Sequence, residues 1–217
     1  MSKNFKGYMG DQIGKLGTAV GRRWKRKMVY AAYQGRVKNP RTEDQMLVRA
    51  RFKQLGEMSG SFLNAIKLGL AIQAEKHDYT EVDHFIKRNW NAVTASEPDE
   101  VTVDFGALVV SEGHLTEVSF KTPSFAEEKK VTVAFDSNSD SEDAKGDDKV
   151  YLFVYQPDIN RGVMTLPVSR SAGTITATVP ARWSGMQVHV YGFTVGGDPS
   201  NMGNPSDSTY IGSGTIA

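Results

Sequence analysis

Cysteine is absent from the 217 residues. Disulfides, thiolate metal sites and cysteine nucleophiles are thereby excluded. The absence suits a reducing cytoplasm, or a particle assembled in one. No apolar run approaches the roughly 18 residues needed to cross a bilayer, so no membrane partner is expected. The N-terminal "MSKNFKGYMGDQIGKLG" lacks the apolar stretch of a secretory signal, and none is expected. Also missing are a nucleophile elbow, a dinucleotide fingerprint and zinc-ligand spacing. The Gly-rich "GDQIGKLGTAVGRRWK" lacks the Gly-Lys-Ser/Thr ending of a phosphate-binding loop. His77, His84, His114 and His189 have no second histidine three or four residues away. The expectation is a protein that is not an enzyme and that holds neither cofactor nor metal.

What is present is an ordinary globular composition, 39% hydrophobic and 24% charged, which supports a packed core over wholesale disorder. The net charge of +1 hides a polar layout: residues 1–60 carry 14 Lys or Arg against 4 Asp or Glu, and the remainder 12 against 21. A basic part of this kind meets something acidic, either nucleic acid or an acidic protein surface, including that of a neighbouring copy.

Residues 1–40 show no sustained period. Glycine recurs at 7, 10, 14, 17, 21 and 35, which opposes a regular helix. The stretch reads as an extended basic arm, in which "MVYAAY" has the makings of a short strand. An isolated arm of this composition needs a partner to fold. Within "GRRWKRKMVYAAYQGRVKNPRT", the candidate contact residues are Arg22, Arg23, Trp24, Lys25, Arg26, Lys27, Tyr30 and Tyr33. Such residues neutralise phosphates and stack on bases. They equally serve as anchors in a protein interface.

Residues 41–97 form a helical segment. Thr42 and Gln45 have capping-box spacing. Met46, Leu47, Ala50, Phe52 and Leu55 then predict a helix over about 43–58. "GSFLNAIKLGLAIQAEK" predicts a second helix, and "TEVDHFIKRNWNAV" a third that starts at Thr80 with Asp83 in the box position.

Over residues 98–217 the period becomes two. "VTVDFGALVVSEG", "LTEVSFKTPS", "KVTVAFDS", "KVYLFVYQP", "GVMTLPVSR", "TITATVPARW" and "MQVHVYGFTV" are short runs rich in Val, Thr, Tyr and Phe. Seven of them predict an antiparallel immunoglobulin-like β-sandwich, to which "SDSTYIGSGTIA" adds a final strand. The fold class is therefore α+β. Trp90 and Trp183 are expected in cores, and His189 on an outward face opposite Val188 and Val190. Asp136, Asn138, Asp140 and Asp147 fall on positions 1, 3, 5 and 12 of a calcium-loop template. Ser141 stands where the template needs glycine, however, and Asp147 where it needs glutamate. A solvated hairpin loop is the expectation there.

"GKLGTAVGRRWKRKMVY" followed by "NPRTEDQMLVRARF" resembles the N-terminal signature of an uncharacterised family of short proteins widespread in Bacteroidetes and their phages and mobile elements. The matching residues are Gly14, Lys15, Gly17, Val20, Gly21, Trp24, Lys25, Asn39, Pro40, Thr42, Gln45, Arg49 and Phe52. "VSRSAGTITATVPARWSGMQVHVYGFTV" and "PSDSTYIGSGTI" are also similar to that family. The resemblance carries no established activity and no catalytic residues.

Together these readings lead to the expectation of a non-enzymatic structural protein of a phage virion: a head, connector-ring or tail component assembled in the host cytoplasm. Its expected partners are other copies of itself and other virion proteins. One alternative is a nucleic-acid-binding protein of the bacterial cytoplasm that uses the arm. Another is a carbohydrate-binding or adhesin-like module.

Overall fold

The computed structural model describes residues 3–4, 12–24, 27–35, 39, 41–138, 143–197 and 203–217. The chain divides into two compact units, Met1–Arg41 and Thr42–Ala217.

In the larger unit, Thr42 takes an extended conformation and its Oγ1 accepts from the Gln45 amide at 3.4 Å. Glu43 and Asp44 follow in the first turn, where the helix dipole favours acids. Helix α1, Glu43–Gly69, then runs unbroken through Gly56 and Gly60. The glycine-rich stretch predicts two helices; one forms, because the apolar stripe of Leu55, Met58, Phe62, Ala65 and Ile66 keeps its phase across both glycines. The break comes instead at Leu70, ahead of α2, Ala71–Lys76. A Cβ on Gly69 would lie 2.6 Å from Ser111 Cβ and 2.7 Å from the Val110 carbonyl oxygen, so another segment crosses the helix end at backbone distance. Helix α3, Glu81–Arg88, opens with a two-way cap. Thr80 Oγ1 accepts from the Asp83 amide at 3.1 Å and donates to Asp83 Oδ2 at 2.7 Å.

The strands of this unit are β5 (Val93–Glu97), β6 (Glu100–Val103), β7 (Ser119–Phe120), β8 (Lys130–Asp136), β9 (Lys149–Gln156), β10 (Arg161–Met164), β11 (Val168–Ser169), β12 (Thr174–Thr178), β13 (Gln187–Val195) and β14 (Thr209–Thr215). The β5–β6 hairpin packs on α1. One antiparallel sheet has the order β12-β8-β7, and a second has β10-β9-β13-β14 with β11 also paired to β9. Several of the predicted runs are shorter or split. The run from Val101 stops at Val103, because the Asp104 carboxylate accepts from the Gly106 and Ala107 amides and turns the chain. "GVMTLPVSR" divides into β10 and β11 around Pro167.

Strands β9 and β13 are buried on both faces. Val150, Leu152, Val154, Val188 and Val190 pack with Val131, Val133, Phe135, Ile175 and Trp183, filling the space between the two sheets. On the opposite face, Phe153, Tyr155, Tyr191 and Phe193 pack with Leu55, Phe62, Ile66 and Phe85 of the helices. The helices thus share a core with the strands that follow them. Phe62 sits at its centre, with the ring centroids of Phe153 and Tyr155 at 4.6 and 4.7 Å. This double burial explains why "KVYLFVYQ" and "QVHVYGFTV" read as nearly continuous apolar runs.

The face opposite Val188 and Val190 is therefore not open, which corrects the expectation for His189. Its side lies with Tyr155 and Tyr191 under the helical layer. The residue is 8% exposed, its ring stacks on Phe105 at 3.9 Å, and Nδ1 lies 3.0 Å from the Tyr210 hydroxyl. Burial lowers its pKa from 6.5. Trp183 is fully buried as expected, whereas Trp90 is only partly so; the Arg51 guanidinium covers its ring at 4.4 Å.

Candidate docking surface

In the N-terminal unit the strand expected at "MVYAAY" forms, and further described residues of the basic arm pair with it. The unit's described strands are β1 (Lys3–Asn4), β2 (Gln12–Leu16), β3 (Ala19–Trp24) and β4 (Lys27–Ala32), paired antiparallel in sequence order. Gly17 adopts φ 58°, which suits the tight turn that pairs Leu16 with Ala19. Tyr33 adds a backbone bond to the Thr18 carbonyl at 2.7 Å. Gly21 is required by close approach. A Cβ there would lie 2.0 Å from the Gln12 carbonyl oxygen and 3.0 Å from the Tyr30 ring. Gly21 thus lets these strands lie close together, and Gly17 lets them turn.

Strand register divides the candidate contact residues between two faces, because side chains alternate and cross-strand partners share a side. Arg22 pairs with Val29 and Trp24 with Lys27 on one face. Lys15 joins them, with its Nζ 3.8 Å from the Tyr33 ring centroid. Arg23, paired with Met28, and Tyr30, paired with Gly21, occupy the other face. Lys25 and Arg26 lie outside the described residues.

Among the described residues of this unit only Gly21 is buried. Trp24, Tyr30 and Tyr33 are 40%, 52% and 47% exposed. A small sheet normally gains stability by packing one face on something else. This one displays aromatics and cations, and among its described residues no side chain is fully buried. The unit carries 11 Lys or Arg against a single Asp, while residues 42–217 carry 15 against 24.

Other polar groups in the larger unit serve structure. Asp136 pairs with Lys121 at 2.9 Å, and the Asn138 side chain donates to the Glu117 carbonyl and Ser119 Oγ. Two positions of the calcium template are thus engaged elsewhere; Asp140 and Ser141 lie outside the described residues. Among the described residues no three His, Asp or Glu side chains cluster as metal ligands would. His84 Nε2 lies 3.3 Å from Glu112 Oε2, Arg88 Nε lies 3.4 Å from the same oxygen, and the His77 ring stacks on His84 with centroids 5.9 Å apart. The adjacent pocket of about 140 Å³, lined by Glu112 and His114, is smaller than the usual small-ligand site of roughly 300 Å³ or more.

Two features have little sequence signal. Arg170 and Asp148 form a fully buried ion pair, yet Asp148 is one of several acids in "SNSDSEDAKGDDK" and nothing local marks it. Phe52 has the spacing of a core residue in α1, but it is 56% exposed.

The model of a family of unknown function, DUF6266, matches residues 10–212 of this chain. No curated protein matches it.

Proposed function

The chain belongs to the DUF6266 family, and we propose that it is a non-enzymatic structural subunit of a phage particle, a head, connector-ring or tail component that docks on neighbouring subunits through its N-terminal sheet. The observation that carries the docking reading is a paired sheet whose described side chains are all at least partly open to solvent. Trp24, Tyr30 and Tyr33 have the chemistry of interface anchors, and Arg22, Arg23 and Lys27 supply charge complementary to an acidic surface. The particle context is part of the same proposal, a virion assembled in the host cytoplasm, and its support is the resemblance noted in the sequence. In this reading the two face-to-face sheets are an immunoglobulin-like body. Their orders, β7-β8-β12 and β10-β9-β13-β14, support that arrangement.

Deleting residues 1–40 should leave a folded body, checked by circular dichroism, that no longer enters particles. Normal incorporation of the truncated chain would refute the docking role. The Lys15, Arg22 and Lys27 side chains around Trp24 and Tyr33 favour nucleic acid as a second reading. It requires binding to a labelled DNA oligonucleotide that falls steeply with salt, by about one counterion per phosphate contact. Absence of binding at low salt eliminates it.

A further inference from the structure

The apolar stripe of α1 continues beyond the core that it serves. Leu55, Met58, Phe62 and Ile66 face the sheet and are fully buried. Phe52 lies one turn before Leu55, and Val48 two turns before it, so both fall on or beside the same side of the helix. Yet Val48 is 51% and Phe52 56% exposed. Amphipathic helices place such residues against a neighbour. Here Ala50 is buried and Arg51 packs on Trp90, so the exposed apolar surface is the flank formed by Val48 and Phe52.

We propose that this exposed flank of α1, Val48 and Phe52, is the seat for the N-terminal sheet of a second copy of the chain. The inference rests on the docking reading above and names its partner. Three observations select a second copy. The sheet's Trp24 and Tyr33 are also exposed, so each copy presents both an exposed anchor set and an exposed seat. Lys15, Arg22 and Lys27 share the face of Trp24 and Tyr33, while Glu43 and Asp44 stand exposed in the first turn of α1 beside the seat. The units as wholes carry opposite charge, 11 basic against 1 acidic residue and 15 against 24. Arg49 and Lys53 also flank the stripe; Lys53 lies 4.0 Å from Glu57. The two patches differ, so the contact is head-to-tail and propagates into a ring or a filament.

The natural absence of cysteine makes a crosslinking test clean. Ala31 is exposed on the same face as Trp24 and Tyr33, so Ala31→Cys leaves the anchors in place. Val48→Cys marks the seat. Full-length chains carrying one substitution each, distinguished by a mass tag, are mixed and treated with a short bis-maleimide. The expected product is the mixed pair, Cys at 31 in one chain joined to Cys at 48 in the other. Adding Phe52→Ser to the seat chain should lower its yield at least tenfold. Crosslinks only between identical variants mean a symmetric interface and overturn the proposal. If wild-type chains assemble through Trp24 and Tyr33 but no mixed pair forms, the seat is elsewhere: this inference falls and the docking role stands. If the wild-type chain stays monomeric in light scattering at every concentration, the second copy is excluded as the partner.

Discussion

Replacing Asp148 by Asn tests the interior of the larger unit at its most polar point. Arg170 Nε donates to Asp148 Oδ2 at 3.1 Å, and neither side chain is exposed. The guanidinium also donates to the Ser137 carbonyl at 2.8 Å and the Thr116 carbonyl at 2.6 Å. Asp148 accepts from the Lys145 amide at 2.9 Å and the Gly197 amide at 3.2 Å. The pair therefore ties together five separate stretches of loop and strand end. Burial lowers the Arg170 pKa and the Asp148 carboxylate raises it, so the cation depends on that anion. Asp148→Asn keeps the shape and leaves a buried guanidinium without its counter-charge, at a cost of about 3–5 kcal/mol. For a unit of this size the melting temperature should fall by roughly 6–20 °C. Urea unfolding followed by tryptophan fluorescence measures the loss directly. Removing both charges, Asp148→Leu with Arg170→Met, should cost less than the sum of the single changes, because no lone charge remains. It should not restore full stability, since the backbone groups that the pair satisfied lose their partners. A loss below about 1 kcal/mol for Asp148→Asn would refute a dry, obligatory ion pair.

Gly56→Ala and Gly60→Ala should each stabilise the protein by up to about 1 kcal/mol in urea unfolding, because an added Cβ at either meets nothing within 4 Å and alanine is the better helix former. Gly69→Ala should destabilise it, since its Cβ would fall 2.6 Å from Ser111 Cβ. Thr80→Ala should cost about 1 kcal/mol through loss of the α3 cap, measured the same way. His189 has a folded pKa below its unfolded 6.5, so the unfolded chain binds more protons at mildly acidic pH. Its contribution to stability is complete above pH 6.5 and declines as pH falls through the folded value. The unfolding free energy of the wild type minus that of His189→Phe should therefore fall from about pH 8 to pH 5; a constant difference would contradict the assignment. Trp24→Ala combined with Tyr33→Ala should leave the melting temperature of the larger unit unchanged and lower assembly in sedimentation at least tenfold.

Local chemistry was enough to place the helix starts at Thr42 and Thr80, because a cap is made within four residues. It also placed strands β8, β9, β12, β13 and β14, whose Val, Thr, Tyr and Phe content suits an extended backbone. The basic character of the N-terminal unit and the acidic character of the rest are sequence properties outright. Tertiary structure decided the remainder. Continuity of α1 through Gly56 and Gly60 depends on a sheet face long enough to hold its stripe in phase. His189 is buried because Phe105 stacks on its ring and Tyr210 borders it, on a face that alternation alone leaves open. The eight candidate contact residues look like one cluster in sequence, but strand register sends Trp24 and Tyr30 to opposite faces. Phe52 has the spacing of a core residue and is open to solvent, while its neighbour Arg51 packs on Trp90 and Ala50 is buried. Asp148 finds Arg170 across 22 residues of chain. Sequence sets which groups need partners; only the packed chain determines which groups find them within the molecule and which remain exposed.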